Sequence, residues 1–248
     1  MTQYGFFFDQ SRCYNCRACV LSCRDWLDIG PGPVKPLRIL QWEKGAFPQP
    51  RLHLLFATCY HCERPVCVDA CDHHALFKED TYGAVLLDEK ACQGDRKCWQ
   101  ACPYGAVQYE SDAPGTPGKK CTMCYDRLVR GEMPMCVTAC PARALDFGPI
   151  GELEEKYGEL KQLEDMPAPD VAYPAIVFKP MLEKEQLVTY DPDETVRVMA
   201  NLPGDLPAVY EDPADVTELT EGLVGYSRLV MKAENVEQNL ALSKGEDG

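Results

Sequence analysis

The stretch CYNCRACVLSC, residues 13–23, sets cysteines at 13, 16, 19 and 23. Three later runs echo it. CYHCERPVCVDAC spans 59–71, and CQGDRKCWQAC spans 92–102. The fourth opens as CTMC at 121–124 and, after eleven residues, closes as CVTAC at 136–140. Every run ends with three residues between its last two cysteines. Such a run suits a cubane iron–sulfur cluster. The first three thiolates grip three irons from one tight loop, and the last, carried on a helix, faces a neighbouring cluster.

Other uses of cysteine fit poorly. Fifteen cysteines is an odd number, and thiols two residues apart on a tight loop rarely meet disulfide geometry. Zinc sites pair two C-x2-C units well apart in sequence, which leaves a third closely spaced thiol without a tetrahedral role. Alanine follows the last cysteine by four residues in three runs, as Ala75-Leu76, Ala106-Val107 and Ala144-Leu145. The segments AVLLD and AVQYE then alternate apolar and polar residues, as short strands do. Cysteine loop, short helix and strand make one half of a small ferredoxin, and here the whole unit is doubled.

One ligand breaks the pattern. The third run holds Asp95 after Gln93-Gly94, where a cysteine belongs. Three outcomes are open for this site. The carboxylate ligates a fourth iron, the cluster lacks that iron, or the site is empty. Thiolate suits such clusters better than carboxylate does, so a fourth iron here is expected to be labile. His73 and His74 are expected to be surface or hydrogen-bonding groups, and His61, inside the C-x2-C loop, a hydrogen-bond donor beside the ligands, rather than ligands themselves.

All fifteen cysteines precede residue 141, and the charge divides near the same point. Residues 1–150 hold 17 acidic and 17 basic side chains, so residues 151–248 carry the whole net charge of −14. No basic stripe is left over for nucleic acid. Apolar runs such as LHLLFA at 52–57 are far too short to span a membrane. The opening MTQYGFFFDQSRC has no positive n-region, long apolar stretch or twin arginine, so no export signal is expected there. The compartment stays undetermined, because a folded subunit can travel with a signal-bearing partner.

Beyond residue 150, GELEEKYGELKQLED reads as an acidic helix with Leu153, Tyr157, Leu160 and Leu163 at helical spacing. AIVFKP reads as a short strand ended by proline. Residues 215–242 suggest an amphipathic helix with Asp215 and Glu218 in a capping box, weakened by Gly222 and Gly225. The expected fold is α+β, with two ferredoxin-like lobes of two clusters each and an extended acidic C-terminal tail. Residues 151–248 form the tail.

The residues resemble the iron–sulfur (beta) subunit of dimethyl sulfoxide reductase-type molybdenum oxidoreductases. QYGFFFD, CPYGAVQY and CYDRLVRGEMPMCVTACPARALDFGPIGEL carry the likeness, which covers residues 3 to about 180. The eleven-residue gap between Cys124 and Cys136 is specific to that group. The resemblance implies a nested pattern, in which residues 1–30 with 111–150 make the first lobe, 51–110 the second, and 31–50 connect them. Cys13, Cys16, Cys19 and Cys140 would hold one cluster. Cys23, Cys121, Cys124 and Cys136 hold the second, and Cys59, Cys62, Cys67 and Cys102 the third. Cys71, Cys92 and Cys98 hold the fourth, with Asp95 in the remaining position.

The resemblance further implies three [4Fe–4S] clusters and a fourth that is [3Fe–4S] or an Asp-ligated [4Fe–4S]. They would relay electrons between a large molybdopterin-containing catalytic subunit and a membrane-anchor subunit or soluble redox partner. The chain itself would catalyse nothing, and its tail would wrap the large subunit. Asp72-His73-His74 departs from the usual Pro-Gly after the last cysteine of that run. Two other classes compete with this reading. A free-standing polyferredoxin carrier leaves the long tail without a purpose, and a redox-sensing protein needs only one cluster.

Overall fold

A computed structural model describes residues 2–45, 50–181, 197 and 229–242. The described residues other than 197 belong to one compact unit. Within it, strand β1 (Tyr4–Asp9) is the centre of a three-stranded sheet. β8 (Leu145–Pro149) lies antiparallel on one side of it and β9 (Ile176–Lys179) parallel on the other. A central strand is covered on both faces and therefore reads as continuously apolar, which explains the unbroken Phe6-Phe7-Phe8. Phe6 and Phe8 enter the main core, with Phe6 against Phe56 and Phe147. Phe7 points the other way and stacks on Tyr157 at 3.6 Å, beside Leu153 and Val177. Each buried phenylalanine contributes about 1.5–3 kcal/mol.

This sheet sets the order of the molecule. β1 precedes the first cysteine run and β8 follows the fourth, so their pairing brings the two ends of the cysteine region together. Gly5 is needed at that seam: a Cβ there would lie 2.4 Å from the Ala175 carbonyl oxygen. Residues 31–50 do more than connect. Strand β2 (Leu37–Lys44) pairs with β3 (Arg51–Thr58) in an antiparallel hairpin from Leu37↔Thr58 to Lys44↔Arg51. The lobe boundary expected at residue 51 thus falls at the start of a strand whose partner lies in 31–50. Trp42, Leu55 and Phe56 bury that hairpin in the common core.

Helix α1 (Ala18–Trp26) follows the first cysteine loop, α2 (Val66–Asp69) lies in the second and α3 (Lys97–Ala101) in the third. The fourth holds α4 (Tyr125–Leu128) and α5 (Met135–Thr138). Short antiparallel pairs complete the unit: β4 (Leu76–Lys78) with β5 (Val85–Leu87), and β6 (Gln108–Tyr109) with β7 (Gly118–Lys119). The strands read from AVLLD and AVQYE are β5 and β6.

Past residue 150 the described segments lie on the chain itself. Helix α6 (Ile150–Tyr157) ends at Gly158, whose φ of 95° stops the helix short of the expected Leu163. Leu163 is buried without being helical, and Leu160 is exposed. The AIVFKP segment supplies β9. Near the C-terminus, Arg38 Nη2 donates to the Met231 carbonyl at 3.3 Å. Asn239 in helix α7 (Val236–Leu242) donates to the Pro33 carbonyl at 2.8 Å. A tail lying wholly on a partner is therefore not what residues 150–181 and 229–242 form. The capped helix expected from Asp215 to 242 falls mostly outside the described residues; of its described part, residues 229–235 are not helical and α7 alone is.

Candidate metal centres

The loops repeat in backbone as well as in sequence. Asn15 and Arg17 take positive φ (60° and 59°) just before α1, and Gly94 and Arg96 do the same (73° and 60°) just before α3. Cys16 and Asp95 occupy the same place in this turn, between the two left-handed residues. Gly94 suits its place because a Cβ would lie 2.6 Å from the Thr116 carbonyl oxygen. A second left-handed turn falls three residues after the last cysteine of runs two to four. It is taken by His74 (51°), Gly105 (60°) and Arg143 (52°). This turn explains the recurring alanine. Ala75, Ala106 and Ala144 are buried immediately after it, and the Ala144 N–H reaches Cys140 Sγ at 3.3 Å.

The cysteines gather in four places. Cys13, Cys16, Cys19 and Cys140 line one cavity, walled by Phe8 and Phe56. Cys71, Cys92 and Cys98 line another, together with Asp95 and His73. Electrostatic neighbours trace the other two groups. Cys23 and Cys136 are both pushed up by burial and then by the charge of Cys121 and Cys124. Burial and the charge of Cys59 and Cys102 drive Cys67 to about 12 and raise Cys62 as well.

The groups also neighbour one another electrostatically in a row. Cys136 feels Cys19 after its nearer neighbours. Cys121, pushed up to about 12 by burial, feels Cys124 and then Cys59. Cys67 in turn feels Cys98.

These groups suit a multi-iron cofactor. Burial drives Cys19 to about 12, with Cys13 and Cys140 adding to the effect. A thiol so buried does not ionise at neutral pH unless positive charge is supplied, and iron supplies it on binding as the proton leaves. Among the described residues, no three His, Cys, Asp or Glu side chains converge as ligands of one ion would. A cubane differs in giving each thiolate its own iron.

Four charged side chains, Asp72, Asp95, Arg96 and Lys97, surround the Asp95 cavity, where Arg17 alone borders the Cys16 cavity. His73 Nε2 lies 2.7 Å from Asp95 Oδ2, and both side chains are close to half exposed. Lys97 pairs with Asp72 alongside. Arg96 lies 4.6 Å over the Tyr109 ring and binds Asp112 at 2.8 Å. Tyr109 Oη lies 3.5 Å from Cys98 Sγ. Sequence reasoning left His73 as a surface or hydrogen-bonding group, and it missed both its pairing with Asp95 and the place of Tyr109. Nothing in the spacing pointed to Tyr109.

His61 is fully buried between Cys59 and Cys62. Its Nδ1 accepts the Val85 N–H at 2.9 Å, so the ring proton sits on Nε2. Burial, together with Lys120 and Lys78, holds this imidazole well below its ordinary value and keeps it neutral.

Cysteine runs of this spacing, gathered into groups around one core, define an iron–sulfur protein of the two-cluster ferredoxin class. The family description "4Fe-4S dicluster domain" matches residues 51–150 and, in a second form, residues 12–76. The chain is 42% identical over 189 residues to the B component of anaerobic dimethyl sulfoxide reductase from Escherichia coli (strain K12), covering 72% of this chain and 89% of that relative. The corresponding protein of Haemophilus influenzae is 40% identical, over 73% of this chain and 90% of the relative. The B component of sulfite dehydrogenase from Allochromatium vinosum is 38% identical, over 60% and 70%. The polypeptide described here therefore belongs to the family of dimethyl sulfoxide reductase iron–sulfur chains. Among the described residues, no helix is long and apolar enough to cross a membrane.

Proposed function

We propose that this chain is the electron-conducting subunit of a molybdenum oxidoreductase complex, with four clusters held by its four cysteine groups. Cys13, Cys16, Cys19 and Cys140 hold the first, and Cys23, Cys121, Cys124 and Cys136 the second. Cys59, Cys62, Cys67 and Cys102 hold the third. Cys71, Cys92 and Cys98 hold three irons of the fourth, and Asp95 holds a labile fourth iron. The clusters supply one-electron chemistry, and the chain's own residues fix their positions, exclude water and tune their potentials.

The observation that carries this reading is the succession of groups, each reaching the next through a named cysteine pair. It supports a single line of electron transfer through the compact unit. No residue of the chain is assigned a bond-making role. The partners are a large molybdopterin-containing catalytic subunit at one end and a membrane-anchor subunit or soluble redox protein at the other.

Purification of the chain from its native host tests the partnership. A large molybdenum-containing subunit should accompany it in fixed ratio. A chain recovered alone, fully loaded with iron and reducible by small carriers, would favour the free polyferredoxin and contradict the proposal.

A further inference from the structure

Lys120 is 5% exposed. It precedes Cys121, the first cysteine of run four, yet its ammonium reaches across to β5, the strand that follows run two. Nζ donates to the Cys121 carbonyl at 2.9 Å and also to the Val85 carbonyl. The N–H of the same Val85 is held by His61 Nδ1 at 2.9 Å. One backbone unit thus clamps a buried lysine and a buried histidine side by side. His61 Nε2, which carries the ring proton, has no hydrogen-bond partner among the described residues.

Removing an ammonium from water costs several kcal/mol unless opposite charge and hydrogen bonds replace the lost solvent. Two carbonyls bind this one, and among the described residues no carboxylate pairs with it. Cysteine ligand positions flank it on both sides: Cys121 is its neighbour in sequence, and the Val85 clamp ties it to His61, which stands between Cys59 and Cys62. Resting on the ligand sets proposed above, Lys120 stands where the second and third clusters face each other, the step from one lobe to the other.

We propose that Lys120, with His61 beside it, sets the reduction potentials of these two clusters by stabilising the electron that each accepts. Reduction adds one negative charge to a cluster. A fixed positive charge in a poorly screened interior favours that state, and an N–H directed toward cluster sulfur acts in the same direction. The clamp on Val85 keeps both groups at the junction rather than letting them reach solvent. The lysine therefore raises both potentials, which holds the central step open to electrons from either end.

Lys120→Gln and Lys120→Met remove the charge, and Lys120→Arg keeps it. In the full chain within its complex, iron content is measured first, and each cluster is then titrated by electron paramagnetic resonance. For the neutral variants, the ratio of reduced to oxidised second and third clusters should fall about tenfold at fixed ambient potential, ~59 mV for a one-electron couple. The first and fourth clusters should shift much less, and Lys120→Arg should titrate like the parent.

Iron-replete neutral variants with unchanged potentials would overturn the proposal, as would equal shifts in all four clusters. If the neutral variants lose a junction cluster while Lys120→Arg keeps it, the role of charge is supported. Equal loss in Lys120→Arg would overturn that role. A parent chain holding fewer than four clusters would instead refute the ligand sets, and the iron analysis separates that failure from this one.

Discussion

The loop before α1 and the loop before α3 share one backbone and differ in what surrounds it. Both place a left-handed arginine, Arg17 or Arg96, directly after the second ligand position. In the first loop that position is Cys16, and the cavity it lines is walled by Phe8, Ile39 and Phe56. In the third it is Asp95, and the neighbours are Asp72, His73 and Lys97. The comparison teaches that loop shape is set by backbone turns and does not depend on the ligand. What changes with the ligand is its neighbours, from the apolar side chains of a dry side to charged ones. A thiolate holds the iron of such a cluster firmly, whereas a carboxylate already engaged by a histidine offers a harder, exchangeable corner.

The largest expected effect comes from removing a cysteine on the dry side. Cys140→Ala should eliminate the first cluster, with the loss of about four irons per chain, measured by iron and acid-labile sulfide. It should also weaken folding, because apolar walls would close on an empty cavity and leave Cys13, Cys16 and Cys19 without iron. If Cys140→Ala retained all its iron, the grouping of Cys140 with Cys13, Cys16 and Cys19 would be wrong.

Next in size is Asp95→Cys, which should make the two loops alike. The fourth site should become a stable four-iron cluster of lower potential, with about one more iron per chain after mild oxidation. The three-iron resonance signal of the oxidised protein should disappear. An unchanged iron content and signal would show that Asp95 takes no part in the site.

His73→Ala sharpens the contrast further. Groups that orient a metal ligand typically matter by 10–100-fold in affinity. Loss of the His73–Asp95 contact should therefore change fourth-iron affinity by about tenfold, read by chelator competition. The first cluster should be indifferent. Equal sensitivity of the two sites to chelator, before and after the substitution, would remove the distinction drawn between them.

The smallest effect concerns the carboxylate on the dry side. Asp9 is 2% exposed and binds Ser11 and Lys179, the latter at 3.1 Å. Burial alone would raise its carboxyl, but the bonds from Ser11 and Lys179 outweigh burial and hold it below the ordinary value. A carboxylate lowered in the folded state stabilises the fold above its unfolded value of about 3.9, and that stability is lost as pH falls through the folded value. Asp9→Asn should cost about 1.5–3 kcal/mol at neutral pH and flatten the stability curve below about pH 4. Acid titration followed by circular dichroism checks it, and an unaltered acid limb would show that Asp9 contributes nothing there.

Much of this was legible in the sequence, for reasons that particular residues make plain. Cluster loops leave a fixed spacing, so the four runs and the break at Asp95 could be read directly. The alanine four residues after the last cysteine of three runs was visible as a repeat, and the structure supplies its cause in the turns at His74, Gly105 and Arg143. The contribution of residues 150–181 to the core was not legible. An acidic segment looks detachable, yet Tyr157 stacks on Phe7 and Ile176 pairs with Phe6. Contacts between residues far apart in sequence leave no local pattern. The same holds for Lys120 and His61, which meet at Val85 from three separate segments.

The central claim is that four cubane-type clusters sit in these groups and that one of them carries Asp95 at its labile corner. Iron and acid-labile sulfide per chain, measured anaerobically and again after mild oxidation, test it most directly. The account predicts about sixteen irons falling to about fifteen, with a three-iron resonance signal appearing only after oxidation. A steady count of about twelve irons, with no such signal, would contradict it.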